Sequence, residues 1–270
     1  MDASARPASL PQPRADVIGV IPAYRCADTV GAVVAGVRRF LTTVIVVDDG
    51  SDDGTAAAAR AAGARVIVRA RNGGKGRALR EGVAAALADA PDAVVLLDAD
   101  GQHDPADLPG FLDAWDGGAG ELLIGRRFLE GAAEVPTARY RANTIGSRII
   151  SALSGAPAVD SQCGYRLLAA RLLARMPLRA RGYAIESEIL LRATFRRAPI
   201  ASVPIATIYD GNVSHFRPIL DTTRIVLACF YYGLGDLLVD RPLGRGCRPA
   251  DAPARRGEPR LAPTIVDRGR

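Results

Sequence analysis

At 270 residues and 49% hydrophobic content, the chain is long enough to bury one large core and is too apolar for a disordered protein. Its 35 basic and 29 acidic residues leave a formal charge of +6, which suits anionic partners such as nucleotides or phospholipid surfaces. Cys26, Cys163, Cys229 and Cys247 are far apart with no C-x-x-C, which argues against a zinc site or a disulfide framework and fits a reducing cytoplasm.

Residues 1–15 are rich in Pro and Ala and read as a disordered lead-in without the apolar core of a signal peptide. The first strand is expected over 17–21, with Pro22 stopping it and Pro22, Ala23 and Tyr24 forming the loop at its end. Asp28 or Thr29 then caps a helix whose inner face carries Val30, Val33, Val34 and Val37. A second strand over 44–47 ends in Asp48-Asp49-Gly50-Ser51, and Asp53-Gly-Thr55 opens an Ala-rich helix. A third strand over 66–68 leads into the Gly-rich turn Asn72-Gly-Gly-Lys-Gly76 and another helix to about residue 88. Lys75 is the only lysine of the chain, so its place in that turn stands out; a solvated lysine at a helix start is the simpler reading.

The fourth apolar run, 93–97, reads as a buried parallel strand and ends in Asp98-Ala-Asp-Gly-Gln102. If the backbone stays extended there, Asp98, Asp100 and Gln102 share one face, and three hard oxygen donors can hold Mg²⁺ or Mn²⁺. Helix capping by the same acids is the simpler alternative. His103 reads as a surface residue, and Asp104-Pro105 as a helix start. Beyond it the expected elements are a helix over 108–115, a strand over 121–124 followed by Gly125-Arg-Arg-Phe128, and a helix over 138–154. Residues 160–166 read as a polar connector, 169–175 and 186–196 as helices, and 200–209 as one or two strands interrupted by Pro204. An apolar helix closes the domain over 219–239, and 241–270 form a disordered basic tail.

Four alternations of strand and helix predict an α/β domain with a mainly parallel sheet, spanning 16–240. Right-handed crossovers would then collect the polar clusters at one sheet edge. That acidic edge, with only 5% aromatic residues, disfavours nucleic acid as a partner.

The series Ile21-Pro-Ala-Tyr24, Val47-Asp-Asp-Gly-Ser51, Gly73-Gly-Lys-Gly76, Asp98-Ala-Asp-Gly-Gln102, Gly125-Arg-Arg-Phe128, Gly164-Tyr-Arg166 and Val213-Ser-His-Phe216 resembles family 2 glycosyltransferases of GT-A (Rossmann-like) fold. Within that family the resemblance is to the polyprenyl-phosphate (dolichyl-phosphate) hexose synthases. It implies a nucleotide-sugar donor, GDP- or UDP-linked, with Pro22, Ala23, Tyr24 and Asp49 at base and ribose. It places Asp98 near ribose and metal, Asp100 and Gln102 as ligands of a divalent cation (Mg²⁺ or Mn²⁺), and Lys75 near the diphosphate. It also places His215 at the diphosphate or metal, and Arg127 and Arg139 on the acceptor phosphate.

A lipid phosphate is already an anionic nucleophile and needs no base; a glycan or lipid hydroxyl would need one, for which Asp160 is the first candidate and Glu188 the second. No run of about 18–20 apolar residues is present, so the expectation is a cytoplasmic enzyme, peripheral at the inner face of the membrane, with the 219–239 helix in the interface.

Overall fold

The computed structural model describes residues 12–127, 160, 163–180 and 182–206. Arg139, Arg141, His215, the 219–239 helix and the basic tail lie outside them.

Seven strands form one sheet among the described residues: β1 (Arg14–Ala23), β2 (Leu41–Asp48), β3 (Arg65–Val68), β4 (Ala93–Leu96), β5 (Leu122–Arg127), β6 (Arg166–Ala169) and β7 (Ile200–Ile205). Their order is β3-β2-β1-β4-β6-β5-β7. The β1–β2, β1–β4, β2–β3 and β5–β7 pairs are parallel, and β6 runs antiparallel between β4 and β5. The helices are α1 (Ala27–Arg38), α2 (Thr55–Ala61), α3 (Lys75–Ala88), α4 (Leu108–Asp116), α5 (Ala170–Ala174) and α6 (Ala184–Phe195). This is the α/β architecture that the alternation of apolar runs predicts.

The core follows from periodicity. Val30, Val33, Val34 and Val37 of α1 are buried at the 3-1-3 spacing of one helical face. β4 is buried along its whole length, as befits a strand covered on both faces. Each Val, Leu or Ile so buried contributes roughly 1.5–3 kcal/mol.

Several boundaries differ from expectation, each for a reason. β1 starts at Arg14, inside the expected lead-in, where Arg14 pairs with Asp16 and Asp116. Pro22 does not end β1, which stays in register with β2 through Ala23↔Asp48. Val20 bonds toward β4 and Ala23 toward Asp49, so by alternation Pro22 faces the β4 side, where pairing has already stopped at Val20↔Leu96. α1 starts before Asp28 and Thr29. Its N-cap is Cys26, and the backbone N–H groups of Cys26 and Ala27 donate to Thr55 and Asp53 instead. β5 continues through Arg127 because β7 pairs with it that far, and β7 itself crosses Pro204 as the last strand of the described sheet. The connector expected over 160–166 leads directly into β6, whose Arg166-Leu-Leu-Ala169 carries no alternating pattern that would separate it from the following helix.

Candidate active site

β1, β2, β3 and β4 are parallel, so their carboxyl ends and the loops after them share one edge. Asp98 leaves β4 there, and Lys75 is the first residue of α3 after the Gly-rich turn. Lys75 Nζ lies 2.6 Å from Asp98 Oδ1 and 2.6 Å from Glu186 Oε1, with the Lys75 side chain only 15% exposed. The solvated-lysine reading is therefore wrong. Burial alone would lower the Lys75 pKa, but the Asp98 and Glu186 charges outweigh it and raise it. Burial likewise works to raise Asp98, and Lys75, followed by His103, pulls it below the usual carboxylate range.

Asp100 behaves differently. Burial and the Asp98 charge push its carboxyl above the ordinary value. The backbone does not stay extended past β4: residues 99–101 form a turn with Gly101 at φ 76°, and the Gln102 N–H donates to Asp100 Oδ1 over 3.0 Å. Asp98 and Asp100 thus have different surroundings instead of sharing one flat face. Among the described residues, no three His, Cys, Asp or Glu side chains are grouped to hold a metal ion. Asp100 and Gln102 still offer hard oxygens, and a carboxyl group strained by burial and by a like charge is one that a cation would relieve.

Gly164 explains how Asp98 is seated. A Cβ at Gly164 would fall on the Asp98 carboxylate, 2.9 Å from its Cγ. Beside it, Arg166 is fully buried; it donates to the Cys163 carbonyl (2.8 Å) and the Glu186 carbonyl (2.6 Å), tying β6 to the first turn of α6. The reading of 160–166 as a simple connector missed this. His103, expected at the surface, is buried, with its ring centroid 5.8 Å from that of Tyr165. Burial lowers its pKa. His103 Nδ1, Tyr165 Oη and Glu186 Oε2 are buried without a hydrogen-bond partner among the described residues.

Asp49 is also buried. It accepts from Arg69 and from the Gly73 (3.1 Å) and Gly74 (2.7 Å) N–H groups. The Gly73 N–H also lies 3.1 Å from Oδ2, so both oxygens of the Asp49 carboxylate are already engaged. Tyr24 presents an exposed ring beside Arg25, in the loop expected to meet the base.

At the end of β5, Arg127 meets Asp160: Nε–Oδ2 is 2.6 Å and Nη2–Oδ1 is 3.0 Å, a two-pronged pair. Glu188 is wholly buried and accepts from the Arg179 and Ala180 N–H groups and from Arg192, which makes it an internal anchor and removes it as a candidate base. Glu186 and the half-exposed Tyr183, whose ring lies 5.6 Å from Lys75 Nζ, were not singled out from sequence. The available signal was two acids, Glu186 and Glu188, just ahead of the apolar run Ile189-Leu-Leu191.

Comparison with known proteins follows this geometry. Residues 20–175 match the family described as Glycosyl transferase family 2. An undecaprenyl-phosphate mannosyltransferase of Micrococcus luteus is 33% identical over 119 residues, 42% of this chain and 48% of its own length. A polyprenol monophosphomannose synthase of Mycolicibacterium smegmatis is 32% identical over 117 residues, 42% of this chain and 44% of its own. A UDP-N-acetylglucosamine–dolichyl-phosphate N-acetylglucosaminyltransferase of Methanococcus voltae is 32% identical over 142 residues, 51% of this chain and 57% of its own. The chain thus spans about half the length of the curated relatives it matches. Among solved structures, glucosyl-3-phosphoglycerate synthase from Mycobacterium tuberculosis in complex with Mn²⁺, UDP-glucose and phosphoglyceric acid has the same fold, at a TM-score of 0.63 and 23% identity, covering 80% of this chain and 79% of that one.

Proposed function

This chain belongs to glycosyl transferase family 2, and from that membership we propose that it moves a hexose from a nucleoside-diphosphate sugar to polyprenyl phosphate, with inversion at the anomeric carbon. The observation that carries the reading is the cluster at the carboxyl edge of the parallel strands, where Asp98, Asp100, Lys75 and Glu186 converge. The lipid-phosphate acceptor is supported by relatives named for undecaprenyl, polyprenol and dolichyl phosphate.

Tyr24, with Pro22 and Ala23, would receive the base, and Asp49 a base N–H. Lys75 would neutralise diphosphate charge from its place beside Asp98. Asp100 and Gln102 would hold a divalent cation together with oxygens of the donor, and that cation would act as a Lewis acid on the departing diphosphate. Arg127 would orient the acceptor phosphate through its planar fork, with Asp160 holding the guanidinium in place. Arg139 and His215, outside the described residues, keep the roles that the resemblance implies, at the acceptor and the diphosphate. An acceptor phosphate oxygen forms the new bond to the anomeric carbon as the bond to the donor diphosphate breaks. No proton needs to be removed, because the nucleophile is already an anion.

Among the described residues no helix is long and apolar enough to cross a membrane. Contact with the cytoplasmic membrane surface is part of the proposal, since the acceptor resides there. A hydroxyl acceptor, with Asp160 as base, is the second reading; the Arg127–Asp160 pair weighs against it because it engages both Asp160 oxygens.

The deciding experiment gives the protein UDP- and GDP-sugars with Mn²⁺ or Mg²⁺, with and without a short polyprenyl phosphate. Diphosphate release stimulated by the lipid supports the proposal. Donor binding without lipid stimulation moves the acceptor to a hydroxyl, and binding of no donor overturns the reading.

A further inference from the structure

The turn between β3 and α3 carries a second concentration of charge. Val68, Arg69, Ala70, Arg71, Arg77 and Glu81 line an open concavity of about 340 Å³. Lys75, Asp98, Asp100 and Glu186 are not part of its wall. Arg69 is balanced there by Asp49 and Glu81. Arg71 and Arg77 are exposed and have no carboxylate partner among the described residues. Gly73 lets these side chains gather: a Cβ on it would stand 2.6 Å from Arg69 Nη1 and 3.0 Å from Arg77 Cδ. The Arg69 head and the Arg77 stem therefore lie over one face of the turn. Val68, 51% exposed, adds an apolar wall.

We propose that this concavity binds a phosphate-bearing anion, with Arg71 and Arg77 holding the phosphoryl oxygens. The two unbalanced guanidinium groups match the roughly −1.5 to −2 charge of a phosphomonoester at neutral pH. Their planar forks suit its oxygens in paired hydrogen bonds. The volume is at the lower end of the ligand-pocket range of about 300–1,000 Å³, room for a phosphate and part of the carbon group it esterifies, which Val68 would meet. A soluble phosphate ester and a lipid phosphate headgroup share this chemistry.

The test uses the full chain and the double variant Arg71→Ala/Arg77→Ala, which alters two exposed side chains and should leave the melting temperature unchanged. Phenyl phosphate is titrated calorimetrically in EDTA, and phosphatidic acid vesicles are assayed by co-sedimentation. The double variant is expected to bind at least one of the two probes about tenfold or more weaker than the unaltered chain. Loss confined to phenyl phosphate assigns a soluble ligand, and loss of vesicle binding assigns a headgroup. Equal binding by both proteins, or binding of neither probe by the unaltered chain, overturns the proposal. UDP with Mn²⁺ is titrated in parallel. A fall in UDP affinity by the same factor would make the concavity part of the donor site and overturn a separate one. Failure of UDP to bind the unaltered chain counts against the donor reading alone.

Discussion

Lys75 Nζ bridges Asp98 Oδ1 and Glu186 Oε1 at 2.6 Å each, joining the start of α3, the end of β4 and the first turn of α6. The cluster holds one positive and two negative groups with little exposure, so removing Lys75 leaves two carboxylates without their shared counter-charge.

Lys75→Met is expected to destabilise the protein by about 3–5 kcal/mol, measured by urea unfolding at neutral pH. The pH profile should also change. In the unaltered protein, the lowered Asp98 pKa contributes stability that is present above the ordinary carboxylate range and lost as pH falls through the lowered value. The raised Lys75 pKa contributes stability that is present below the ordinary lysine range and lost as pH rises through the raised value. Without the ammonium, the buried carboxyls prefer their neutral forms, so Lys75→Met should be more stable at about pH 5 than at about pH 8. A variant no more stable at about pH 5 than at about pH 8 would contradict this.

Asp100 is held in the opposite direction, its carboxyl raised by burial and by Asp98. Ionised Asp100 therefore works against folding as pH rises through its raised pKa. In metal-free buffer at neutral pH, Asp100→Asn should raise the melting temperature, by about 2–4 °C for each kcal/mol of relieved repulsion. The same variant should lose the thermal shift that Mn²⁺ gives the unaltered protein, along with turnover. A retained Mn²⁺ shift would remove Asp100 from the cation site.

The Arg127–Asp160 pair separates the two acceptor readings. Arg127→Ala should raise the KM for a short polyprenyl phosphate by about tenfold or more while leaving UDP binding unchanged. Asp160→Asn should keep kcat within about tenfold, because an anionic acceptor needs no base. Loss of kcat by Asp160→Asn with KM unaltered would point to a hydroxyl acceptor.

Gly164→Ala tests the seat of Asp98. The added methyl must displace the carboxylate from Lys75, at a cost of about 1–3 kcal/mol from overpacking. Turnover should fall further than stability alone accounts for, read as specific activity of the folded fraction. Full specific activity would mean that Asp98 can move without consequence.

Read by itself, the sequence determined the alternation of apolar runs, the strands β1 to β4 and the polar clusters that follow them, because these depend on local periodicity and on residues a few positions apart. The motif series resembled a family, and the family match bears that out. The tertiary structure decided what depends on distant segments. β6 enters antiparallel between β4 and β5 because Arg166-Leu-Leu-Ala169 finds partners on both sides, although its local composition suits a helix equally well. Glu186 joins the site because Arg166 fixes the first turn of α6 against β6. Glu188, two residues on, points instead to the Arg179 and Ala180 N–H groups and to Arg192, and spacing cannot tell which of the two acids faces the site. The environments of Asp98 and Asp100 diverge for the same reason. The charge each carboxylate feels is set by groups brought near it in space, and Lys75 reaches one of them first.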